Sequence, residues 1–217
     1  MKEINKYKVV SLVLALALLT AMARLVYLTN VPAPAEGETT SSVYDNILAR
    51  KSVRSFTDEP VSQGAVDSLL RAAMAAPSGR DMRPWKFVAI DSRPVLDSLM
   101  SALPYAKMLA SAPVAIVVCA DLSVVDDKGK PSANWVMDCS AATENLLLCA
   151  ESMRLGAVWT GVYPYEERQA AVSAVLGLPQ HVVPLCLVPV GHPAGNPQPK
   201  DKYVPDNIRY NHWEAVK

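Results

Sequence analysis

The spacing of apolar residues along the chain separates predicted strands from predicted helices. Two unbroken apolar runs, at 114–120 and 182–190, predict strands that are buried on both faces of a sheet. The segment 135–155 predicts the longest helix, and its stretch 146–150 is apolar on every side, which is typical of a helix enclosed by the domain. The other predicted elements are helices at 43–49, 64–75, 94–102, 105–111 and 166–176, and strands at 86–90 and 157–162.

Polar and glycine residues at the element ends predict where helices begin and end. Ser62 is expected to cap the helix that follows it, because its hydroxyl can accept a hydrogen bond from the first turn. Gly156 and Gly177 are expected to end the helices before them in the left-handed conformation that glycine adopts without strain. The helix at 43–49 is predicted to face the core with three apolar side chains, those of Val43, Ile47 and Leu48.

The N-terminal segment has the composition of an export signal or a membrane anchor. A basic lead precedes the uncharged apolar stretch 9–23, and Ala21-Met22-Ala23 fits the small-x-small rule for signal cleavage. The longer stretch 9–28 would instead span a bilayer if Arg24 extended its charge to the interface. Both alternatives predict an exported domain, either periplasmic or membrane-anchored and facing outward, because the positive lead stays on the cytoplasmic side.

The chain is therefore predicted to have three parts. Residues 1–29 form the signal peptide or anchor, and residues 30–42, rich in Pro, Ser and Thr, form a flexible linker. Residues 43–217 form the folded domain, whose Pro-rich tail after Gly191 is predicted to be an extended arm.

The overall composition predicts a globular protein without a bulk affinity for polyanions. Of the 217 residues, 51% are hydrophobic and 19% are charged, which is enough apolar material for a sizeable core. Lys and Arg together number 21, as do Asp and Glu, so no nucleic-acid partner is expected. Any anion site must come from local clustering of cations.

The cysteine and histidine positions do not suggest a metal site. The four cysteines have no Cys-x-x-Cys spacing, and buried free thiols are favoured over disulfides. The three histidines are not spaced as metal ligands. These residues are Cys119, Cys139, Cys149 and Cys186, with His181, His192 and His212.

One cationic cluster carries the clearest chemical signal in the chain. Arg50, Ser52 and Arg54 alternate along the segment, so an extended backbone would direct all three side chains to one side. Arginine and hydroxyl groups at this spacing suit a bound phosphate dianion. A solvated basic turn is the alternative interpretation of the cluster alone.

Four further blocks follow this cluster in an order that resembles the nitroreductase family of FMN-dependent oxidoreductases. They are an Ala-Pro-Ser turn at 76–78 that leads into Pro-Trp at 84–85, a lysine before Met-Leu at 107–109, a glycine-bounded strand at 156–161, and Lys-Asp-Lys at 200–202. The resemblance covers roughly residues 43–213. It implies an α+β fold with a central antiparallel-dominated sheet flanked by helices, in an intertwined homodimer with flavins at the interface.

The resemblance also implies which residues bind the FMN. The opening cluster would hold the phosphate and the polar edge of the ring. The Ala-Pro-Ser turn and the glycine-bounded strand would lie beside the ring, and Lys107 would approach its N1–C2=O edge. The lysines at 200 and 202 would return to the phosphate. The implied cofactor-binding residues are Arg50, Lys51, Ser52, Arg54, Pro77, Ser78, Asp81, Lys107, Trp159, Thr160, Gly161, Lys200 and Lys202.

The chain departs from the family pattern in the loop before Pro84. Asp81 and Arg83 stand where the family usually has Asn and Gln. A carboxylate at position 81 would bring negative charge close to the ring, which predicts an acceptor preference different from that for nitroaromatics.

The function implied by the resemblance is hydride transfer from NADH, NADPH or another donor, through FMN, to a small organic acceptor such as a nitroaromatic or a quinone. The flavin would carry the chemistry, so no side chain is required as a catalytic acid or base. Two alternatives stay open: a membrane-tethered reductive dehalogenase similar to iodotyrosine deiodinase, with 122–134 as its lid, and a non-enzymatic flavin-binding module.

Overall fold

The computed structural model describes residues 43–213, together with Leu18, Thr20 and Met22. The chain divides into two compact units, residues 1–40 and 41–217, and every element named below belongs to the second. Apart from the three residues named, the predicted signal or anchor and the linker lie outside the described residues. The boundaries predicted at 29 and 42 therefore stay predictions. Among the described residues, no helix has both the length and the apolar character that crossing a bilayer requires.

The centre of the domain is a five-stranded sheet in which every pairing of strands is antiparallel. The strand order is β1–β2–β5–β3, and β4 also pairs with β5. The predicted antiparallel-dominated sheet is confirmed. The strands are β1 (Trp85–Ile90), β2 (Val114–Asp121), β3 (Gly156–Ala157), β4 (Thr160–Gly161) and β5 (Val182–Gly191).

Helices cover both faces of this sheet, and the alternation of side chains along β2 shows how. Ile116, Val118 and Ala120 join a core with α2 and α4, whereas Ala115, Val117 and Cys119 join a second core with α3 and α5. The helices are α1 (Val43–Ala49), α2 (Gln63–Met74), α3 (Arg93–Ala102), α4 (Trp135–Ser152) and α5 (Glu166–Leu176), with short 3-10 helices at Gly79–Asp81, Lys107–Ala110 and Pro205–Asn207.

Several predictions from the sequence are confirmed by these elements. The long helix α4 buries Leu146, Leu147 and Ala150, as its apolar stretch indicates. Ser62 accepts a hydrogen bond from the amide of Ala65 and so caps α2, and Gly177 ends α5 with a φ of 62°. The α+β class, with helices flanking the sheet, is thus established.

Other predictions, which concern the face of α1 and the end of α4, are wrong. On α1, Val43, Ile47 and Leu48 are 78%, 48% and 56% exposed, so they do not face the core of this protomer. The helix α4 ends at Ser152, and Arg154, with a φ of 58°, takes the left-handed conformation predicted for Gly156.

Two predicted elements are also shorter than expected. The helix predicted at 105–111 is a single 3-10 turn over Lys107–Ala110. The strand predicted at 157–162 is interrupted at residues 158–159, which leaves β3 and β4 to pair with β5 separately.

The turn that precedes β1 is held against α4 by one buried carboxylate. Asp138 is 5% exposed and accepts hydrogen bonds from the Ser78 hydroxyl at 3.2 Å and from the Gly79 amide at 2.9 Å. The Ser78 hydroxyl in turn accepts a hydrogen bond from the amide of Arg83 at 2.8 Å. A side chain at Gly79 would come within 2.6 Å of Asn134, so the turn lies against the start of α4.

Replacing Asp138 with alanine is expected to destabilise the fold by about 2–4 kcal/mol, because the donors of Ser78 and Gly79 would lose a charged acceptor. Urea unfolding measures the change. Asp138→Asn is the matched control and should cost less, since its amide oxygen can still accept from Gly79. Equal stability of the alanine variant and the parent would show that the carboxylate does not hold the turn.

The cysteines are all free, and three of them are buried. The prediction of buried free thiols is confirmed for Cys119, Cys139 and Cys186, and burial raises the pKa of each to about 12. Cys149 is less enclosed, and partial burial raises its pKa as well.

These pKa values predict how the thiols react. A raised pKa keeps each thiol protonated through neutral pH, and the thiolate is the reactive form. We expect at most one thiol, Cys149, to react with Ellman's reagent at pH 8 in the folded protein, and all four to react after unfolding. Cys149→Ser should abolish the reaction of the folded form. Rapid reaction of two or more thiols in the folded protein would contradict the burial described here.

Candidate active site

A cavity of about 770 Å³ lies where the cationic segment, the Lys107–Ala110 turn, strand β4 and the start of α5 come together. This volume falls in the range of about 300–1,000 Å³ that is typical of cofactor and substrate sites. Three of its lining side chains are cationic, and none is acidic. The lining residues are Arg54, Pro104, Tyr105, Lys107, Met108, Ser111, Val158, Trp159, Thr160, Gly161 and Arg168.

Arg54 reaches this cavity because the preceding residues are fixed to the sheet. The Val53 amide donates a hydrogen bond to the Ala157 carbonyl at 3.0 Å, and Ser52 forms a parallel bridge with the same residue. A side chain at Gly156 would come within 2.6 Å of Val53, so glycine permits the close approach. Val53 is buried, and Ser52 and Arg54 on either side of it are exposed, which is the alternation of an extended segment.

Lys107 is positioned by a short turn with a well-anchored base. Its neighbours Ala106 and Leu109 are fully buried. The Arg93 guanidinium of α3 donates to the Leu109 carbonyl at 2.7 Å and to the Ala112 carbonyl at 3.3 Å. The backbone on both sides of Lys107 is thus fixed, and Lys107 lines the cavity.

Strand β4 lines the cavity and carries an unsatisfied polar atom. Thr160 lines it, and its hydroxyl oxygen Oγ1 is the one buried side-chain N or O atom, among the described residues, that has no hydrogen-bond partner. A buried hydroxyl without a partner costs free energy, and a bound ligand can supply the missing hydrogen bond. Trp159 and Gly161, beside it, complete this wall.

Arg168 lines the same cavity and was not among the predicted site residues. Its guanidinium carbon lies 3.9 Å from the centre of the Tyr165 ring and 5.2 Å from that of Tyr105. Its Nη1 donates to the Gly161 carbonyl at 3.1 Å. The sequence holds one local signal for this arrangement, since Tyr165 stands three residues before Arg168 at the start of a predicted helix.

A second group of predicted residues lines a neighbouring cavity of about 610 Å³. It contains Arg50, Lys200 and Lys202, so the structure does bring the first and the last predicted phosphate ligands together. Glu144 also lines this cavity, and its carboxylate lies 3.5 Å from Nε of Arg50. Because Arg50 and Arg54 flank the extended segment 51–53, one segment serves both cavities.

Lys51 is set apart from these cations. Its ammonium group lies 2.6 Å from the Glu151 carboxylate, in an ion pair between two side chains with little exposure. It lines a different, smaller cavity beside Leu155 and Pro193. The alternation that aligns Arg50 with Arg54 places Lys51 on the other side of the segment.

The predicted residues Pro77, Ser78 and Asp81 line neither of the two larger cavities in this protomer. They belong to the turn held by Asp138. Asp81 and Arg83 form an ion pair with two hydrogen bonds, and the Arg83 guanidinium lowers the pKa of the Asp81 carboxyl below its usual value. The two departures from the family loop therefore pair with each other, so the Asp81 carboxylate has a counter-ion in Arg83.

Comparisons with known proteins give close relatives of this domain. A protein of Methanothermobacter thermautotrophicus, provisionally named an NADH dehydrogenase/NAD(P)H nitroreductase, is 42% identical over 171 residues, which cover 79% of this chain and 87% of the relative. A crystal structure of a protein from Bacteroides thetaiotaomicron with the same provisional name is 49% identical, with a TM-score of 0.75 over 81% of this chain and 100% of that one. A crystal structure from Desulfovibrio desulfuricans, of a protein provisionally named a nitroreductase and in complex with FMN, is 29% identical, with a TM-score of 0.67 over 81% of this chain and 100% of that one.

These relatives overturn the predicted location. The exported location rested on the apolar composition of residues 9–28, which lie almost entirely outside the described residues. The relatives are named for NADH or NAD(P)H as electron donor, and an outward-facing enzyme would be separated from these coenzymes. The prediction of a periplasmic or outward-facing, membrane-tethered protein is therefore wrong.

The family model described as "Nitroreductase family" matches residues 47–103 and 97–192, which is more than half of the 217 residues. The matched region includes both ends of the sheet, the cationic segment and all four walls of the larger cavity. On this match, and on the identity to the relatives above, the chain belongs to the nitroreductase family.

Proposed function

We propose that the protein is an FMN-dependent oxidoreductase that takes a hydride from NADH or NADPH and passes the electrons to a small organic acceptor, such as a nitroaromatic or a quinone. The observation that carries this function is the cavity of about 770 Å³, with its cationic and aromatic lining and the unsatisfied hydroxyl of Thr160. The family and the FMN-bound relative agree with it.

The residues of the cavity fit a flavin ring. Met108, Val158 and Trp159 offer apolar surface for a flat ring system, and the Thr160 hydroxyl offers a hydrogen bond to a polar ring atom. Arg54 and Lys107 supply positive charge for the N1–C2=O edge. The phosphate would lie in the neighbouring cavity, held by Arg50, Lys200 and Lys202, with Ser52 on the segment between.

FMN supplies the two-electron chemistry when it is bound. The contribution of the protein is electrostatic: Arg54 and Lys107 hold positive charge where negative charge accumulates on reduction, in a partly enclosed site that strengthens the interaction. Among the described residues that line this cavity there is no carboxylate, imidazole or thiol.

We also propose that the protein works as a homodimer. The helix α1 and the C-terminal arm expose large apolar side chains that one protomer leaves uncovered, and a second copy would bury them. In such a dimer the turn with Pro77, Ser78 and Asp81 would reach the cavity of the partner subunit, which would join two groups of predicted site residues. The most exposed of these apolar side chains are Val43, Tyr44, Tyr203, Tyr210 and Trp213.

The two alternatives have less support. The reductive dehalogenase required a lid at 122–134 that grips an amino acid, and Asp126 in that segment is instead paired with Arg80. The non-enzymatic alternative rested on Asp81 and Arg83, whose charges compensate each other. The relatives at 42% and 49% identity are both named as nitroreductases.

Arg50→Ala is expected to weaken FMN binding by about 1.5–3 kcal/mol, because it removes a charge-assisted hydrogen bond to the phosphate. Fluorescence quenching of FMN on titration with apoprotein measures the affinity. Arg71→Ala, which removes an exposed arginine of α2 outside the cavities, is the control and should bind as the parent does. Unchanged affinity of the Arg50 variant would remove this residue from the phosphate site.

Lys107→Ala is expected to retain FMN but to lower its two-electron reduction potential by roughly 30 mV, which corresponds to about 1.4 kcal/mol of lost charge stabilisation. A redox titration of the bound flavin measures the shift. Lys107→Arg keeps the charge and should keep the potential near that of the parent. If the alanine variant has the parental potential, Lys107 does not contact the reduced ring.

A further inference from the structure

We propose that Arg168 selects ligands that carry an oxyanion, either a carboxylate or a phosphate group, in the larger cavity. The inference rests on the proposed function and adds a substrate class to it. Arg54 and Lys107 are already assigned to the polar edge of the flavin, and Arg168 is the third cation of the lining.

The guanidinium of Arg168 is held in place without being neutralised. It lies over the Tyr165 ring at 3.9 Å and near the Tyr105 ring at 5.2 Å, so two aromatic side chains from separate segments contact it. One of its N–H groups donates to the Gly161 carbonyl at 3.1 Å. Stacking on aromatic rings leaves the edge of a guanidinium open for further hydrogen bonds.

Within the described part of the chain, no carboxylate lies within ion-pair distance of Arg168, in contrast to several other arginines. Arg80 pairs with Asp126, Arg83 with Asp81, and Arg93 with Asp97. Arg168 also lines a smaller cavity of about 240 Å³ that contains Glu167, but the larger cavity has no acidic lining. In the larger cavity, a fixed cation without a counter-ion raises the local concentration of anions and favours their binding.

The geometry of the group narrows the ligand chemistry. A guanidinium with its edge open presents two parallel N–H donors, which match the two oxygens of a carboxylate or of a phosphate. Such an oxyanion can belong to the acceptor, as in an aromatic carboxylate, or to the nicotinamide donor, whose phosphates are a second source. Either source would place an oxyanion against the guanidinium of Arg168.

The test compares Arg168→Gln with the parent as full-length, FMN-loaded protein. The acceptor pair is 4-nitrobenzoate against 4-nitrobenzyl alcohol, and the donor pair is NADPH against NADH. If the acceptor supplies the oxyanion, kcat/KM for the nitrobenzoate falls roughly tenfold and that for the alcohol stays near the parental value. If the donor supplies the oxyanion, kcat/KM falls by a similar factor for NADPH alone or equally for NADPH and NADH. The values of kcat/KM for the two acceptors then stay near those of the parent.

Three further measurements separate this proposal from a structural role. Arg168→Lys keeps the charge and should retain part of the preference for the charged ligand. Arg71→Gln lowers the net charge as much as Arg168→Gln does and should leave every kcat/KM unchanged. Titration calorimetry of benzoate and of inorganic phosphate with the FMN-loaded protein should show weaker binding of at least one anion in Arg168→Gln.

The outcomes that overturn the proposal are distinct from failure of the proposed function. Three results for Arg168→Gln would show that Arg168 does not select ligands by charge. They are an equal fall in kcat/KM for both acceptors and both donors, an unchanged kcat/KM for all four, and the loss of bound FMN. A parent protein that binds no FMN and oxidises neither NADH nor NADPH would instead refute the oxidoreductase itself.

Discussion

The close contact between residue 53 and strand β3 is the constraint on which the placement of both cavities depends. The Val53 amide is bonded to Ala157, and Gly156 has no side chain at the point where Val53 packs. This contact fixes an extended segment whose two arginines serve different cavities. Because Cβ at residue 156 would displace Val53, it would move Arg50 and Arg54 together. One backbone contact therefore sets the distance between the proposed ring site and the proposed phosphate site.

The sheet explains why the predicted residues form separate groups in one protomer. Side chains that alternate along β2 build two cores, one with α2 and α4 and the other with α3 and α5. The larger cavity is lined from α5 and the Lys107–Ala110 turn, whereas the turn of Ser78 is fastened to α4 by Asp138. These supports belong to different layers, so the turn and the cavity do not meet within the chain. In the proposed homodimer, a second copy that covers the exposed face of α1 would bring them together.

Apolar periodicity was enough to predict most of the sheet and its helices, because burial on both faces produces unbroken runs such as those in β2 and β5. It failed at α1: the pattern of this helix is that of a core helix, yet Val43 and Leu48 are exposed. It failed also where a long-range contact decides the conformation, as at Gly156, which packs on Val53 instead of ending α4. Arg168 was missed because its second ring, that of Tyr105, lies far away in sequence. The family resemblance predicted the cationic groups, but it could not show that Lys51 is neutralised by Glu151.

Pairing of charges explains how a chain of zero formal net charge makes a positive cavity. The 21 acidic residues balance the 21 basic ones overall. Several cations outside the larger cavity are, however, held in ion pairs: Arg83 with Asp81, Arg80 with Asp126, and Lys51 with Glu151. In the described part of the chain Arg54, Lys107 and Arg168 have no carboxylate within ion-pair distance, and all three line the same cavity. Since each of these positions lies on a differently anchored segment, their convergence follows from the fold and not from a local cluster in the sequence. An anion, or a flavin that becomes anionic on reduction, is the partner that this distribution of charge favours.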